Sequence, residues 1–175
     1  MAGSLQLIST TTMTDNLQTV NITNVFSDKY DVYMIKGSNM LGKNSTATGV
    51  NLRFINSSGS VLSSDYDYAQ LAMKGDASFG ENRGTTPTRL WNVFGGLDDS
   101  GQSAGNIAYV FNPYSSSSYT FCQWQNGSMP GGNLRGYKGI GVYHIATSIT
   151  GFQVELNESA SRFSGNGKVS VYGIK

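Results

Sequence analysis

Few side chains in this 175-residue chain could do chemistry on their own: one histidine, His144, one cysteine, Cys122, and the acidic groups Asp65-Tyr66-Asp67-Tyr68 and Asp98-Asp99. His144 falls on the face of its segment shared by Ile140, Val142 and Ala146. With no second histidine and no acidic residue close by, a satisfied structural imidazole is expected rather than a general base or metal ligand. Cys122 shares a face with Thr120 and Trp124, where a small buried hydrophobe is expected, and a lone cysteine has no disulfide partner. Asp65 and Asp67, two residues apart, could share a calcium ion, which takes several oxygen ligands. Neither acidic segment matches a calcium loop, and in a strand Asp65 and Asp67 would project to one solvated face. Gly95-Gly96, Gly131-Gly132, and Gly139 with Gly141 lack the spacing of a phosphate loop before a helix, and are expected to mark bulges and bends. The chain is therefore expected not to be an enzyme, with no catalytic, cofactor-binding or metal-binding residues.

Binding residues are a separate question. Tyr109, Phe111, Tyr114, Tyr119, Phe121, Trp124 and Tyr137 concentrate aromatic rings in one stretch. Exposed beside Asn and Gln they would form a sugar-stacking platform; buried they would be core, and burial is the expectation. Trp91, within Arg89-Leu90-Trp91-Asn92 and next to the Gly-rich stretch 95–105, is the candidate exposed anchor for a protein contact. Leu5, Leu7 and Ile8 are the other candidate partner contacts, in a segment able to add a strand to a neighbour.

These residues must be positioned by strands. Phe152, Val154 and Leu156 alternate with Gln153 and Glu155, and the chain closes on Val169-Ser170-Val171-Tyr172-Gly173-Ile174-Lys175. That period of two belongs to half-buried strands. Strands are expected over 5–12, 17–26, 30–36, 50–55, 107–111, 119–124, 136–146, 147–156 and 168–174, with 136–146 and 147–156 pairing as neighbours. Segment 68–74 fits a helical turn or a strand, 95–105 reads as a long loop, and 126–132 as a Gly/Pro loop. The fold class is all-β: an antiparallel β-sandwich, jelly-roll-like, of about eight to nine strands. Residues 1–14 read as an N-terminal arm or edge strand and 15–175 as one sandwich domain.

Composition excludes some partners. Charged residues are 13% of the chain and the net charge is +1, so no basic stripe offers the electrostatic footprint of nucleic-acid binding. No apolar run is long enough for a membrane-spanning helix, and no membrane insertion is expected. Met1-Ala2-Gly3-Ser4-Leu5 lacks the pattern of a signal peptide, so synthesis in a cytoplasm is expected.

Several segments together carry a resemblance: Ser27-Asp28-Lys29-Tyr30-Asp31-Val32-Tyr33, Leu52-Arg53-Phe54-Ile55-Asn56 followed by Gly59, and Asp65-Tyr66-Asp67-Tyr68-Ala69. Asn112-Pro113-Tyr114, Ser148-Ile149-Thr150-Gly151-Phe152 and the ending from Phe163 to Lys175 extend it. In order and spacing, from about Val20 onward, the chain resembles small β-sandwich virion proteins of tailed bacteriophages, especially marine cyanophages and pelagiphages. The resemblance implies a jelly-roll-like virion component and supplies no functional-site residues. The expected function is a non-enzymatic virion structural protein, first an outer capsid decoration or cement protein packing as a symmetric oligomer. The alternative is a tail-fibre or head-fibre tip that binds a host surface glycan or receptor. Expected partners are copies of itself, a trimer suiting capsid or fibre axes, and other virion proteins such as the major capsid protein. The expected location is the outer surface of the particle, after synthesis in the host cytoplasm.

Overall fold

The computed structural model describes residues 4–44, 48–99 and 104–175. Twelve strands lie among them. The first six are β1 (Leu5–Thr12), β2 (Thr19–Ile22), β3 (Val32–Met40), β4 (Thr48–Asn56), β5 (Tyr66–Lys74) and β6 (Phe79–Thr85). The rest are β7 (Gly96–Leu97), β8 (Ala104–Phe111), β9 (Thr120–Ser128), β10 (Arg135–Tyr143), β11 (Ile149–Leu156) and β12 (Lys168–Ile174). They form an antiparallel sandwich: a large sheet of eight strands, ordered β1-β12-β3-β8-β9-β10-β5-β6, and a small sheet of four, ordered β2-β11-β4-β7. The all-β, jelly-roll-like class expected from the alternation is the class observed. Residues 100–103 of the expected 95–105 loop, and Met1 to Gly3 of the expected arm, lie outside the described residues.

The core lies between the sheets. In β9, Thr120, Cys122, Trp124, Asn126 and Ser128 are buried, while Phe121, Gln123, Gln125 and Gly127 face out. The pleat imposes this alternation on every half-buried strand. Opposite them, Val50, Leu52 and Phe54 of β4 and Phe152, Val154 and Leu156 of β11 supply the small-sheet half of the core. Aromatic rings span the gap: Phe54 stacks on Tyr66 at 6.0 Å, and Phe152 stacks on Phe26, which meets Tyr33 edge-on at 4.8 Å. The Tyr66 hydroxyl accepts the Phe54 N–H at 2.8 Å and donates to the Leu62 carbonyl at 3.2 Å. Burial holds that phenol protonated well above the ordinary tyrosine range.

Several expectations need correction. Segments 136–146 and 147–156 do not pair. β10 runs between β9 and β5 in the large sheet, and β11 runs between β2 and β4 in the small one. The short connection between them therefore crosses the sandwich. Almost all of β11 is buried on both faces, as suits a central strand. Segment 68–74 is strand, and β9 extends through Ser128 into the expected Gly/Pro loop. β6 was hidden by its composition, Phe79-Gly80-Glu81-Asn82-Arg83-Gly84-Thr85, which has little β-propensity; pairing with β5 holds it.

Gly139 and Gly141 mark neither bulge nor bend, since β10 keeps register with both neighbours throughout. They open space on the core side. A Cβ at Gly139 would sit 2.3 Å from Cζ2 of Trp124, and one at Gly141 would sit 2.5 Å from Cδ2 of Leu90. The indole thus lies flat against the β10 backbone, with its nitrogen and ring buried. Gly127, on the outer face of β9, has nothing within 4 Å of its would-be Cβ. Gly139→Ala should destabilise by about 1–3 kcal/mol through overpacking. Gly127→Ala should stay within about 0.5 kcal/mol of the native protein. Urea midpoints of the two variants check this, and equal midpoints would refute the packing argument.

Candidate binding groove on the outer face of the large sheet

The outer face of the large sheet is concave. Residues from β3, β8, β9, β10, β5 and β6 border one open groove of about 1710 Å³. Cross-strand register sorts its outward side chains into rows. One row reads Met34, Tyr109, Gln123, Ile140, Ala69 and Arg83 from β3 to β6. The next reads Lys36, Ile107, Gln125, Lys138, Leu71 and Glu81. Directly opposed residues on one face are close enough to act as one surface.

Beside these lies an apolar row. Leu5, Ile174, Val32, Phe111, Phe121 and Val142 follow one another across six adjoining strands, ending at Asp67 of β5. Phe121 is 49% exposed, Ile140 60% and Tyr109 36%. A sheet that buries one face and leaves rings and aliphatic side chains on a hollow second face is a candidate binding surface.

The aromatic cluster is thus split by strand parity. Trp124 is core, whereas Tyr109, Tyr114, Tyr119 and Phe121 are exposed, against the expectation that the cluster is buried. Tyr109 and Phe121 stand on the same face as Gln123 and Gln125 because all four carry the outward parity of β8 and β9.

The electrostatics differ between the two outer faces. On the small sheet, Glu155 takes up two guanidinium groups, Arg53 at 3.2 Å and Arg89 at 3.0 Å, and all three side chains are largely buried. In the groove, Lys36, Lys138 and Arg83 face only Glu81, and none of the four forms an ion pair among the described residues. The groove therefore carries unneutralised positive charge in a chain whose net charge is only +1.

Leu5, Leu7 and Ile8 lie in β1, at the edge of the large sheet, and are 53%, 55% and 37% exposed. Leu5 pairs with Ile174 and Leu7 with Tyr172, so both belong to the rows of the concave side; Ile8 falls at a bulge. Trp91 lies elsewhere. It is half-buried against the core, with the Arg89 guanidinium 5.6 Å from its ring centre, near the outer face of the small sheet.

His144 does have acidic neighbours, contrary to the sequence reading. The register of β10 with β5 carries past Tyr143 opposite Tyr66, which brings Asp65 and Asp67 to the imidazole. Its Nδ1 is 3.2 Å from Asp67 and its Nε2 is 3.7 Å from Asp65. No group of three or more His, Cys, Asp or Glu suited to a metal occurs among the described residues. Asp98 is buried and accepts the Gly131 N–H, so Asp98-Asp99 is not a surface carboxylate pair.

Register is what makes the groove, and register is not written in local sequence. Lys36, Lys138, Arg83 and Ile140 carry no motif. Only the alternation Phe121-x-Gln123-x-Gln125 offered a signal.

Comparison with known proteins adds no family. No protein-family model and no curated protein matches the chain. Among solved structures it is similar to the marine PL-14 alginate lyase from Aplysia kurodai at 8% identity and a TM-score of 0.37, covering 86% of this chain and 72% of that one. A family 7 alginate lyase in complex with substrate aligns at 14% identity and a TM-score of 0.25, covering 88% of this chain and 64% of that one. The infectious bursal disease virus VP2 subviral particle aligns at 10% identity and a TM-score of 0.12, covering 99% of this chain and 41% of that one. Likenesses this distant assign neither activity nor family.

Cys122 sits behind the groove floor, wholly buried, and burial pushes its thiol up to about 12 from 9.0. The folded state therefore keeps the proton where the unfolded state loses it. This contribution to stability is complete below pH 9 and is lost as pH rises toward 12. The native protein should resist Ellman's reagent at pH 8 and react on unfolding. Between pH 8 and pH 10.5, Cys122→Ala should lose less stability than the native chain; an equal loss would contradict this.

Proposed function

We propose that the protein is a non-enzymatic binding module of a phage particle surface, of the tail-fibre or head-fibre tip kind, that holds a host surface glycan along the concave face of its large sheet. The observation that carries this reading is the groove itself. It crosses six strands and combines an exposed ring, aliphatic side chains, amides and unpaired cations in ordered rows. Gln123 and Gln125 each offer a donor and an acceptor, which matches sugar hydroxyls that do both. Tyr109 offers a ring face to the apolar side of a pyranose. The particle setting comes from the sequence resemblance to phage virion proteins, and the glycan from the groove. A glycan screen with the purified chain should find ligands of micromolar to millimolar affinity, and Tyr109→Ala should weaken them about tenfold without changing the melting temperature. Silence across the screen would refute the reading, and shortening of a bound polysaccharide would replace binding by catalysis.

One observation favours the second reading, a capsid decoration or cement protein. The β1 edge, Leu5-Gln6-Leu7-Ile8-Ser9-Thr10-Thr11-Thr12, carries neither charge nor proline, the usual protections of an edge strand. The opposite edge, β6, carries Glu81 and Arg83. An unprotected edge suits strand addition to a neighbouring subunit or to the major capsid protein. On this reading, removing residues 1–12 abolishes particle association in a sedimentation assay while far-ultraviolet circular dichroism stays native-like. Retained association would sink it.

A further inference from the structure

We infer that the ligand of this groove is a linear acidic polysaccharide lying across the strands, its acid groups met by Lys36, Lys138 and Arg83. The inference rests on the glycan-binding reading and names the chemical class that reading leaves open.

The spacing of the cations is the first argument. Lys36 and Lys138 stand in the same row, separated by the strands that carry Ile107 and Gln125. Three strand spacings put them about 14 Å apart. Arg83 stands in the adjoining row, two strands beyond Lys138 in the direction of the sheet edge. The three charges therefore lie along the length of the groove rather than in one cluster. A single phosphate or a monosaccharide acid could touch one of them. A polymer with acid groups at intervals could touch all three.

The floor between them is the second argument. Gln123, Gln125 and Tyr109 fill the interval with groups that bind hydroxyls and a ring face, and among the described residues Glu81 is the one carboxylate bordering the groove. Nucleic acid is a poor fit to this floor. Its phosphates recur every few ångströms and call for a continuous basic track with several stacking rings, whereas here three cations are interrupted by amides and aliphatic side chains. A protein partner seated on the apolar row through Phe111, Phe121 and Val142 would leave Lys36 and Lys138, two rows away, unmet. Positive charge left unpaired at the surface is cheap while solvated, and becomes favourable when a carboxylate or sulfate arrives with its own hydrogen-bond acceptors.

The test measures binding of the full chain to polygalacturonate, dextran sulfate and neutral dextran by isothermal titration at 50 and 300 mM NaCl. Binding to at least one acidic polymer and none to dextran is expected, with affinity falling as salt rises. Lys138→Gln should lower the affinity about tenfold or more, the loss of one charge-assisted hydrogen bond. Lys29→Gln removes the same charge outside the groove and should leave the affinity unchanged. Which acidic polymer binds decides between a carboxylate and a sulfate partner. Dextran bound as tightly as the acidic polymers would overturn the acidic class while leaving the glycan reading in place. Equal losses in Lys138→Gln and Lys29→Gln would overturn the groove as the site, reducing the binding to diffuse charge attraction. Absence of binding to all three polymers, together with silence in a broad glycan screen, would overturn both.

Discussion

The contact on which the rest of this molecule depends is the aromatic layer between the sheets, pinned by one hydroxyl. Phe54 of the small sheet stacks on Tyr66 of the large one, and Tyr143 meets both rings at 6.5 and 5.1 Å. The Tyr66 hydroxyl reaches across the sandwich to the Phe54 backbone, where an unpaired N–H in the core would be costly. At the other end, Phe26 stacks on Phe152 and meets Tyr33 edge-on, and the Tyr33 hydroxyl accepts the Ser27 N–H at 2.8 Å and donates to the Ser27 carbonyl at 2.9 Å. Together these contacts fix how the two sheets face one another. They also settle which parity of each strand is inside, and with it every residue that lines the groove.

Parity makes the groove a by-product of the core with chemistry of its own. In β9, burial of Cys122 and Trp124 obliges Phe121, Gln123 and Gln125 to face out. In β10, two glycines admit the Trp124 indole, and the same phase of the pleat turns Lys138 and Ile140 outward. A slip of one residue in either strand would bury the amides and the lysine and expose the indole. Specifying the core therefore specifies which side chains border the groove.

The parts of the fold legible in the sequence were those set by local alternation. Leu5 to Thr12 and Lys168 to Ile174 coincide with β1 and β12, and the reading of Phe152, Val154 and Leu156 as one buried face is correct for β11. What depended on pairing was not legible. The segments on either side of Tyr143 to Ile149 look like a hairpin, because adjacency in sequence favours adjacency in a sheet, yet they belong to opposite sheets. Tyr109 and Phe121 were expected in the core because aromatic rings usually are, and only the phase of their strands shows that Trp124 and Val110 occupy it instead. His144 gained Asp65 and Asp67 by the same long-range register. The groove's cations carry no motif for the same reason: Lys36, Arg83 and Lys138 become neighbours only when β3, β6 and β10 take their places in one sheet.

The central claim, that the outer face of the large sheet is the ligand surface, is tested most directly by amide chemical shifts. Uniformly ¹⁵N-labelled protein would be titrated with short polygalacturonate oligomers and followed by two-dimensional nuclear magnetic resonance. The account predicts shifts concentrated at Tyr109, Gln123, Gln125, Lys138 and Ile140, with Trp91 and Glu155 on the far side of the sandwich unmoved. Shifts centred on Trp91 and Arg89, with the groove strands silent, would contradict it.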